Sequence, residues 1–493
     1  MFKKILIANR GEIAVRIIRA CREMGILAVA LYEAPDMASL HVRLADECVL
    51  LDTPAGFMDQ ANVLRIAREC GAEAIHPGYG FLAEQADFIH ACEAAGIAFI
   101  GPPAGVVQNV RYKINAQQKA RAAGFPTLTH SERSFGDDEW EALQATAEEM
   151  GYPLVVKSCS GGRGPGERLI RSADSLVETV RRARAQSKTV FGEQRLYLEK
   201  AIVPAHQVGV QILADKYGHM IHLGDREGSV QYSNQKVVEE APAPCLNDAQ
   251  REELWQTAVA LARLFGYQNA GTVEFLVDEA GQFYFSEFKA RIQVEHPLTE
   301  VITGVDLIQA QIRLAAGEPL RMTQADVKLD GWAMLCRVRA EDPWRRFMAS
   351  PGRVLMVRLP GGMGLRTDTY IYCNCDIPEA YDPLIAKLTV WGPDRDTCTW
   401  RLRCALEDFK LVGPATNVSL LQQVVRSPEF VAGRYSTSFL VHPFAQEPVS
   451  NTYLRDMAVI AAILYQRRSQ LFMPSVPERT NSNWHRSSRR LPQ

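Results

Sequence analysis

Two periods of apolar residues divide this chain into helices and strands. Ile5, Leu6 and Ile7 form a continuous apolar run within residues 3–9; Gly11 turns the chain; Glu12–Met24 repeats apolar positions at helical spacing; and Ala28–Tyr32 is apolar again. A strand, turn, helix and strand in that order mark a parallel α/β sheet. The alternation continues through a helix at 59–70, a strand at 72–75, the turn HPGYGFL, a helix at 84–95 and a strand at 97–100. Residues 1–112 therefore read as one doubly wound parallel-sheet domain. Asn9-Arg10-Gly11 follows the first strand as a nucleotide-binding turn would, yet neither GxGxxG nor GxxxxGK[ST] spacing is present.

A helix is expected from Lys113 to Ala123, where Gly124 and Pro126 break it. A smaller α/β unit follows, with strands at 154–157, 168–171 and 195–200, and residues 130–202 read as a mobile flap. Strands at 206–213, 219–223 and 272–277 predict a second sheet of mixed pairing. Short strands fill 331–392, and helices are expected at 394–407 and 416–425, so 330–446 reads as a mixed α+β domain. In the tail, 447–493, Met457–Tyr465 is helical and 470–493 is expected to be disordered.

Between Phe283 and Glu300 the period falls to two. Glu287, Lys289, Arg291, Gln293 and Glu295 alternate with Phe288, Ala290, Ile292 and Val294, so an extended run puts all five polar side chains on one face. That face is either a solvated charged strand or a wall carrying a metal-capable carboxylate, an anion-binding guanidinium and a general base. Glu274 stands in the apolar strand GTVEFLVD, where a carboxylate requires a cation or a basic partner. With a turn at 279–282, Glu274 and Glu287 would face each other across a hairpin and hold Mg²⁺ against a phosphate, since Mg²⁺ takes few protein oxygens. Lys157 precedes SCSGGRGPGE, a glycine-rich turn able to present backbone N–H groups to a phosphate or to serve only as a surface loop. Glu199-Lys200 closes an apolar strand.

Composition narrows the classes. With 493 residues, 47% of them hydrophobic, the chain can bury several cores. Lys and Arg number 55 against 57 Asp and Glu, a net charge of -2, so no global field draws it to nucleic acid or anionic lipid. Eleven scattered cysteines fit reduced thiols and a cytoplasmic location better than a disulfide framework; the CxC at Cys373 and Cys375 reads as structural. No apolar stretch is long enough to span a membrane.

In order along the chain, ANRGEIAVRIIRA, HPGYGFLAE, FIGP, NQKVVEEAPAP, ARIQVEHPLTE and YDPLIAKL resemble the biotin carboxylase component of biotin-dependent carboxylases, an ATP-grasp family. The resemblance reaches to about residue 446 and implies an ATP-grasp domain over 113–320 with 130–202 as its lid. It further implies ATP-dependent formation of carboxyphosphate from bicarbonate, then carboxylation of biotin on a separate carrier protein. By matching motif, Lys113, Lys157 and the lid glycines Gly161, Gly162 and Gly164 would meet the phosphates. Glu199, Lys200, His206, Gln231 and Asn234 would complete the nucleotide site, and Glu274 and Glu287 would ligate Mg²⁺ or Mn²⁺. Arg291, Gln293 and Val294 would hold bicarbonate beside Lys236, Glu295 would take its proton, and Arg366 would stabilise the biotin enolate. The implied partners are a biotin carboxyl carrier protein, a carboxyltransferase subunit and a second copy of the chain. The acyl-CoA (acetyl-CoA, as in fatty acid biosynthesis, or propionyl-CoA) or pyruvate that finally accepts the carboxyl group is chosen by the carboxyltransferase.

The chain departs from that pattern near the nucleotide. Arg163 and Pro165 interrupt the glycine run, and Pro165 has no N–H to give a phosphate. Lys289 stands where asparagine is usual and, on an extended face, lies beside Glu287. Asn234, Ala205 and Gly209 replace a histidine, an arginine and a carboxylate, and Leu335 and Arg339 replace a glutamate and an asparagine. Two readings follow: a working biotin carboxylase with altered ATP use, or a catalytically impaired paralogue serving as a binding or regulatory subunit. Another ATP-grasp ligase would share the nucleotide site but not RIQVEHPLTE or YDPLIAKL.

Overall fold

A computed structural model describes residues 1–159, 168–191, 194–440 and 452–471. It divides into two compact units, Met1–Ala445 and Gln446–Gln493. In the second, Thr452–Leu471 forms one helix that contains the expected apolar segment. The expected disorder at 470–493 lies almost wholly outside the described residues.

The first unit opens with a five-stranded parallel sheet. Its order is Glu47–Leu50, Leu27–Tyr32, Lys4–Ile7, Ala74–His76 and Ala98–Phe99. Ile5, Leu6 and Ile7 are fully buried at its centre, as a parallel strand covered on both faces requires. Glu47–Leu50 is an edge strand with mostly exposed side chains, so it carries no apolar run to announce it. A small lid follows: Leu154–Ser158 pairs antiparallel with Leu169–Ile170 and Leu196–Lys200, and Leu143, Val156 and Leu198 belong to a core of its own.

The largest sheet has eight antiparallel strands, in the order Phe283–Lys289, Asn269–Val277, His206–Ala214, Met220–Tyr232, Gln235–Ala241, Trp332–Arg339, Leu384–Gly392 and Leu365–Thr369. Gln235–Ala241 pairs directly with Trp332–Arg339, so three strands after residue 330 extend the central sheet, while the shorter ones pair among themselves in two-stranded sheets. The strand expected at 219–223 is the start of Met220–Tyr232, whose buried Asp225, Arg226 and Glu227 hide it from an apolar pattern.

The extended run expected over 287–295 stops early. Its strand ends at Lys289; Arg291–Gln293 are irregular, and Glu295 is the residue that precedes the helix His296–Thr303, with Pro297 in its first turn. The five polar side chains are gathered by a strand, a bend and a helix start, not by one flat face.

Lys387 ties the parts together. Fully buried, its ammonium lies 2.8 Å from Glu12 Oε2 and donates to the Val294 carbonyl at 3.2 Å. Burial raises the Glu12 carboxyl, against the pull of Lys387. Lys387→Met should cost about 3–5 kcal/mol in urea unfolding, because it strands a buried carboxylate. Adding Glu12→Gln should recover most of that loss, and a double variant no more stable than the single one would show that the pair is not the source.

Candidate active site

Glu274 and Glu287 are register partners on the hairpin Asn269–Val277 and Phe283–Lys289, with a β-bulge immediately after Glu274. Both are buried. Glu287 lies 3.1 Å from Lys113 Nζ and 3.0 Å from Lys289 Nζ, one ammonium at each oxygen. Burial pushes the Lys113 ammonium down to about 8; Glu287 opposes the fall, and Lys289 and Lys157 add to it.

Glu274 Oε1 accepts from Gln293 Nε2 at 2.6 Å and from Lys236 Nζ at 3.3 Å, and Oε2 accepts from Gln207 Nε2 at 3.0 Å. Gln293 is fixed from its other end by Arg226, whose guanidinium donates to Gln293 Oε1 at 2.7 Å and to Thr272 Oγ1 at 2.9 Å. Lys236 also donates to Glu295 Oε1 at 2.5 Å, and Arg337 reaches Glu295 Oε2 at 3.0 Å while pairing with Glu239. Burial alone would raise the Glu295 carboxyl, but Lys236, Arg337 and Arg226 outweigh it and hold it far below the usual range. Glu274 is likewise lowered, with Lys236 overcoming burial. Lys236 is raised, since its carboxylates outweigh its desolvation.

Two glycines make this packing feasible. A Cβ on Gly228 would fall 2.6 Å from Lys236 Cδ and Cε, so the glycine leaves the lane along which Lys236 reaches the carboxylates. Gly209 is the register partner of Glu274, and a Cβ there would sit 2.9 Å from Thr272 Cγ2 and 3.3 Å from Glu274 Oε1. A side chain at 209 would require Thr272 and Glu274 to shift.

On one side of the wall a cavity of about 440 Å³ is lined by Lys113, Lys157, Glu199, Lys200, Gln231 and Asn234. Lys157 pairs with buried Glu199, which also accepts from Gln117 Nε2 at 2.9 Å. Lys200 donates to the carbonyls of Gly151 and Tyr152 at 2.9 and 3.1 Å, at the C-terminal end of the helix Trp140–Met150. Gln231 has a buried side-chain oxygen with no partner among the described residues. Ser233 and Asn234 both have positive φ, 47° and 65°, in the tight turn after Tyr232, a conformation asparagine tolerates well. Gly161, Gly162 and Gly164, with Arg163 and Pro165, lie outside the described residues.

On the other side a cavity of about 460 Å³ is lined by Arg291, Val294, Arg337, Arg339, Tyr79 and the Asn9–Ile13 turn. Arg291 donates to Glu84 Oε2 at 3.1 Å, so a carboxylate from HPGYGFLAE orients it. Arg339 lies 3.0 Å from Glu341 Oε1, while Leu335 is fully buried against Leu298 and Ala333.

Of the expected residues, Lys236, Glu274, Glu287, Gln293 and Glu295 form the wall without lining either cavity, while Arg366 and His206 belong neither to the wall nor to the linings. Arg366 donates to Glu300 Oε2 at 2.5 Å and lies 2.8 Å from Asp368 Oδ2, because its edge strand Leu365–Thr369 carries it beneath the helix His296–Thr303. Arg337, two strands nearer the wall, lines the second cavity instead. His206 lies 2.6 Å from Glu227 Oε1, and it is its neighbour Gln207 that turns to Glu274. Side chains alternate across a strand, so one residue decides the face. Sequence alone does not mark Arg226, Glu84 or Arg337; the available signal is charge inside apolar strands, as in AMLCRVRA.

The comparisons agree along the chain. Family models described as Biotin carboxylase, N-terminal domain; Carbamoyl-phosphate synthase L chain, ATP binding domain; and Biotin carboxylase C-terminal domain match residues 1–107, 112–323 and 335–442. Biotin carboxylase of a Nostoc species is 46% identical, covering 89% of this chain and 98% of its own. The propionyl-CoA carboxylase alpha chain of Ruegeria pomeroyi is 41% identical, covering 94% of this chain and 72% of its own. The biotin carboxylase domain dimer of Hydrogenobacter thermophilus 2-oxoglutarate carboxylase, solved with MgADP, ADP and bicarbonate, superposes with TM-score 0.87 at 43% identity, covering 90% of this chain and 98% of that one.

The Lys289 ammonium lies against Glu287 Oε1, an oxygen that a cation bound at Glu287 would need. Lys289→Asn should tighten Mn²⁺ binding about tenfold, roughly 1.4 kcal/mol, in a direct titration. An unchanged affinity would mean the ammonium does not obstruct the carboxylate.

Proposed function

This chain belongs to the biotin carboxylase family, and we propose that it carboxylates biotin on a carrier protein, using ATP and bicarbonate by way of carboxyphosphate. The observation that carries this reading is the buried sequence Glu274, Lys236, Glu295, Arg337 standing between two cavities, with Arg291 lining the second.

ATP fits the cavity that Lys113 and Lys157 line, with Gln231 offering an unpaired oxygen. Bicarbonate fits beside Arg291, where a fixed guanidinium meets an anion at little reorganisation cost. Glu295 is ionised and takes the bicarbonate proton; an anion arriving near its cations offsets their field and raises its proton affinity. A bicarbonate oxygen then bonds to the γ-phosphorus as the bond to ADP breaks, giving carboxyphosphate, and its decomposition yields CO₂ and phosphate. Biotin enters from the second cavity, the released phosphate takes its N1 proton as N1 bonds to CO₂, and Arg337, rather than Arg366, is placed to hold its ureido oxygen as negative charge develops.

Glu274 and Glu287 fit Mg²⁺ or Mn²⁺ as a pair of cross-strand carboxylates, with Glu287 exchanging an ammonium for the ion. Such an ion supplies neutralisation of the phosphate charge during transfer. The lid would exclude water from carboxyphosphate.

The working enzyme is favoured over a silent subunit because the departures leave this wall complete: Lys236, Arg291, Gln293, Val294 and Glu295 are all in place around the cavities. Among the described residues no helix is long and apolar enough to cross a membrane. A carrier protein, a carboxyltransferase and a second copy of the chain are the proposed partners, in the cytoplasm. Relatives named for propionyl-CoA and 2-oxoglutarate carboxylation share this component, so the acceptor is assigned to the carboxyltransferase.

Bicarbonate-dependent ATP cleavage with free biotin tests the reading. Glu295→Gln should lower it by about 10²–10⁴-fold with ADP binding retained; undiminished turnover would move the base elsewhere. Arg337→Met should cut the biotin-dependent rate more than Arg366→Met does, and the reverse order would return the enolate role to Arg366.

A further inference from the structure

On the opposite face of the central sheet from the catalytic wall, His206, Glu227 and Cys245 converge. Their donor atoms all lie within 4.8 Å of one another. Arg226 and Gln207 turn toward Gln293 and Glu274, so alternation sends Glu227 and His206 to the other side. There Val208, the register partner of Glu227, packs in the core that the helix Asp248–Leu264 covers. Cys245 belongs to the loop that joins Gln235–Ala241 to that helix.

We propose that these three side chains form a binding site for a borderline-soft divalent cation of the zinc class, separate from the carboxylate pair that faces ATP. Glu227 is 1% exposed; its Oε1 accepts from His206 and, at 2.6 Å, from Ser229 Oγ, while Oε2 has no hydrogen-bond partner among the described residues. A buried carboxylate oxygen without a partner is costly, and a cation between Oε2, the imidazole and the thiol satisfies it. One imidazole, one carboxylate and one thiolate make a common zinc donor set, with bonds of about 2.0–2.3 Å. Bonds of that length on a tetrahedral ion set donors about 3.3–3.8 Å apart, and donors already within 4.8 Å reach that separation with small side-chain rotations. As the metal–sulfur bond forms, the thiol proton leaves to solvent. Glu227 and the thiolate then carry two negative charges against the cation's two positive ones, and water completes the tetrahedron. The sulfur and nitrogen donors disfavour Mg²⁺. Glu240, on the neighbouring strand, is already held by Arg395, Trp332 and Tyr435 and is not a ligand. An ion here would pin the loop at Cys245 to two strands whose next residues, Ala205 and Gln231 among them, line the ATP cavity.

Co²⁺ is the probe, added to the full chain without nucleotide. One Co²⁺ per chain should bind with a thiolate-to-cobalt charge-transfer absorption; Zn²⁺ should displace it, and excess Mg²⁺ should not. Cys245→Ser should abolish the absorption and weaken Co²⁺ binding at least about tenfold, or roughly 1.4 kcal/mol. His206→Gln should weaken binding as much while shifting the absorption, which keeps the test open if one variant folds poorly. Cys373→Ser, at an exposed thiol, should change neither. Absence of stoichiometric binding with thiolate absorption, or its persistence in Cys245→Ser, would overturn the site.

Discussion

The structure turns on one buried carboxylate, Glu295, held between Lys236 and Arg337. Removing these charges from water is expensive, and each is retained only because an opposite charge or a fixed dipole lies within hydrogen-bond reach. Glu274 shares Lys236, Gln293 bridges Glu274 to Arg226, and Glu239 shares Arg337. The arrangement is a closed lattice of compensations, so each side chain is positioned by its neighbours rather than by its own rotamer preference.

The fold supplies that lattice by crossing segments far apart in sequence. Strands from 206 to 289 and from 332 to 392 share one sheet, which lets Lys236, Glu274, Arg226 and Arg337 meet on one face. The first sheet contributes Glu84 to Arg291 and, through Glu12 and Lys387, anchors the carbonyl of Val294. Arg291 and Glu295 thus share one segment, and side chains from other parts of the fold hold it in place. Lys113 and Lys289 already neutralise Glu287, so under the proposed function a metal there has to displace an ammonium, and the charge at 289 is the departure that bears on it most directly.

Apolar periodicity was sufficient for the parallel sheet, where Ile5–Ile7 and Ala28–Leu31 are buried on both faces. It failed where burial and polarity coincide: Asp225, Arg226 and Glu227 masked the middle of the strand Met220–Tyr232, and Arg226 among them holds Gln293 in the site. The facing of Glu274 and Glu287 was legible because turn chemistry at 279–282 fixes a hairpin. Arg337 was not, since an arginine in a strand reveals neither its neighbour strand nor its face. His206 shows the same limit at a single residue: shifting by one to Gln207 exchanges the catalytic face for the opposite one.

The central claim is that Arg291 and Glu295 deliver bicarbonate as a nucleophile to the γ-phosphorus of ATP. Bicarbonate labelled with ¹⁸O tests it most directly, by mass analysis of the phosphate released in the presence of free biotin. The account predicts phosphate carrying one ¹⁸O from bicarbonate. Phosphate whose new oxygen comes only from water would contradict it.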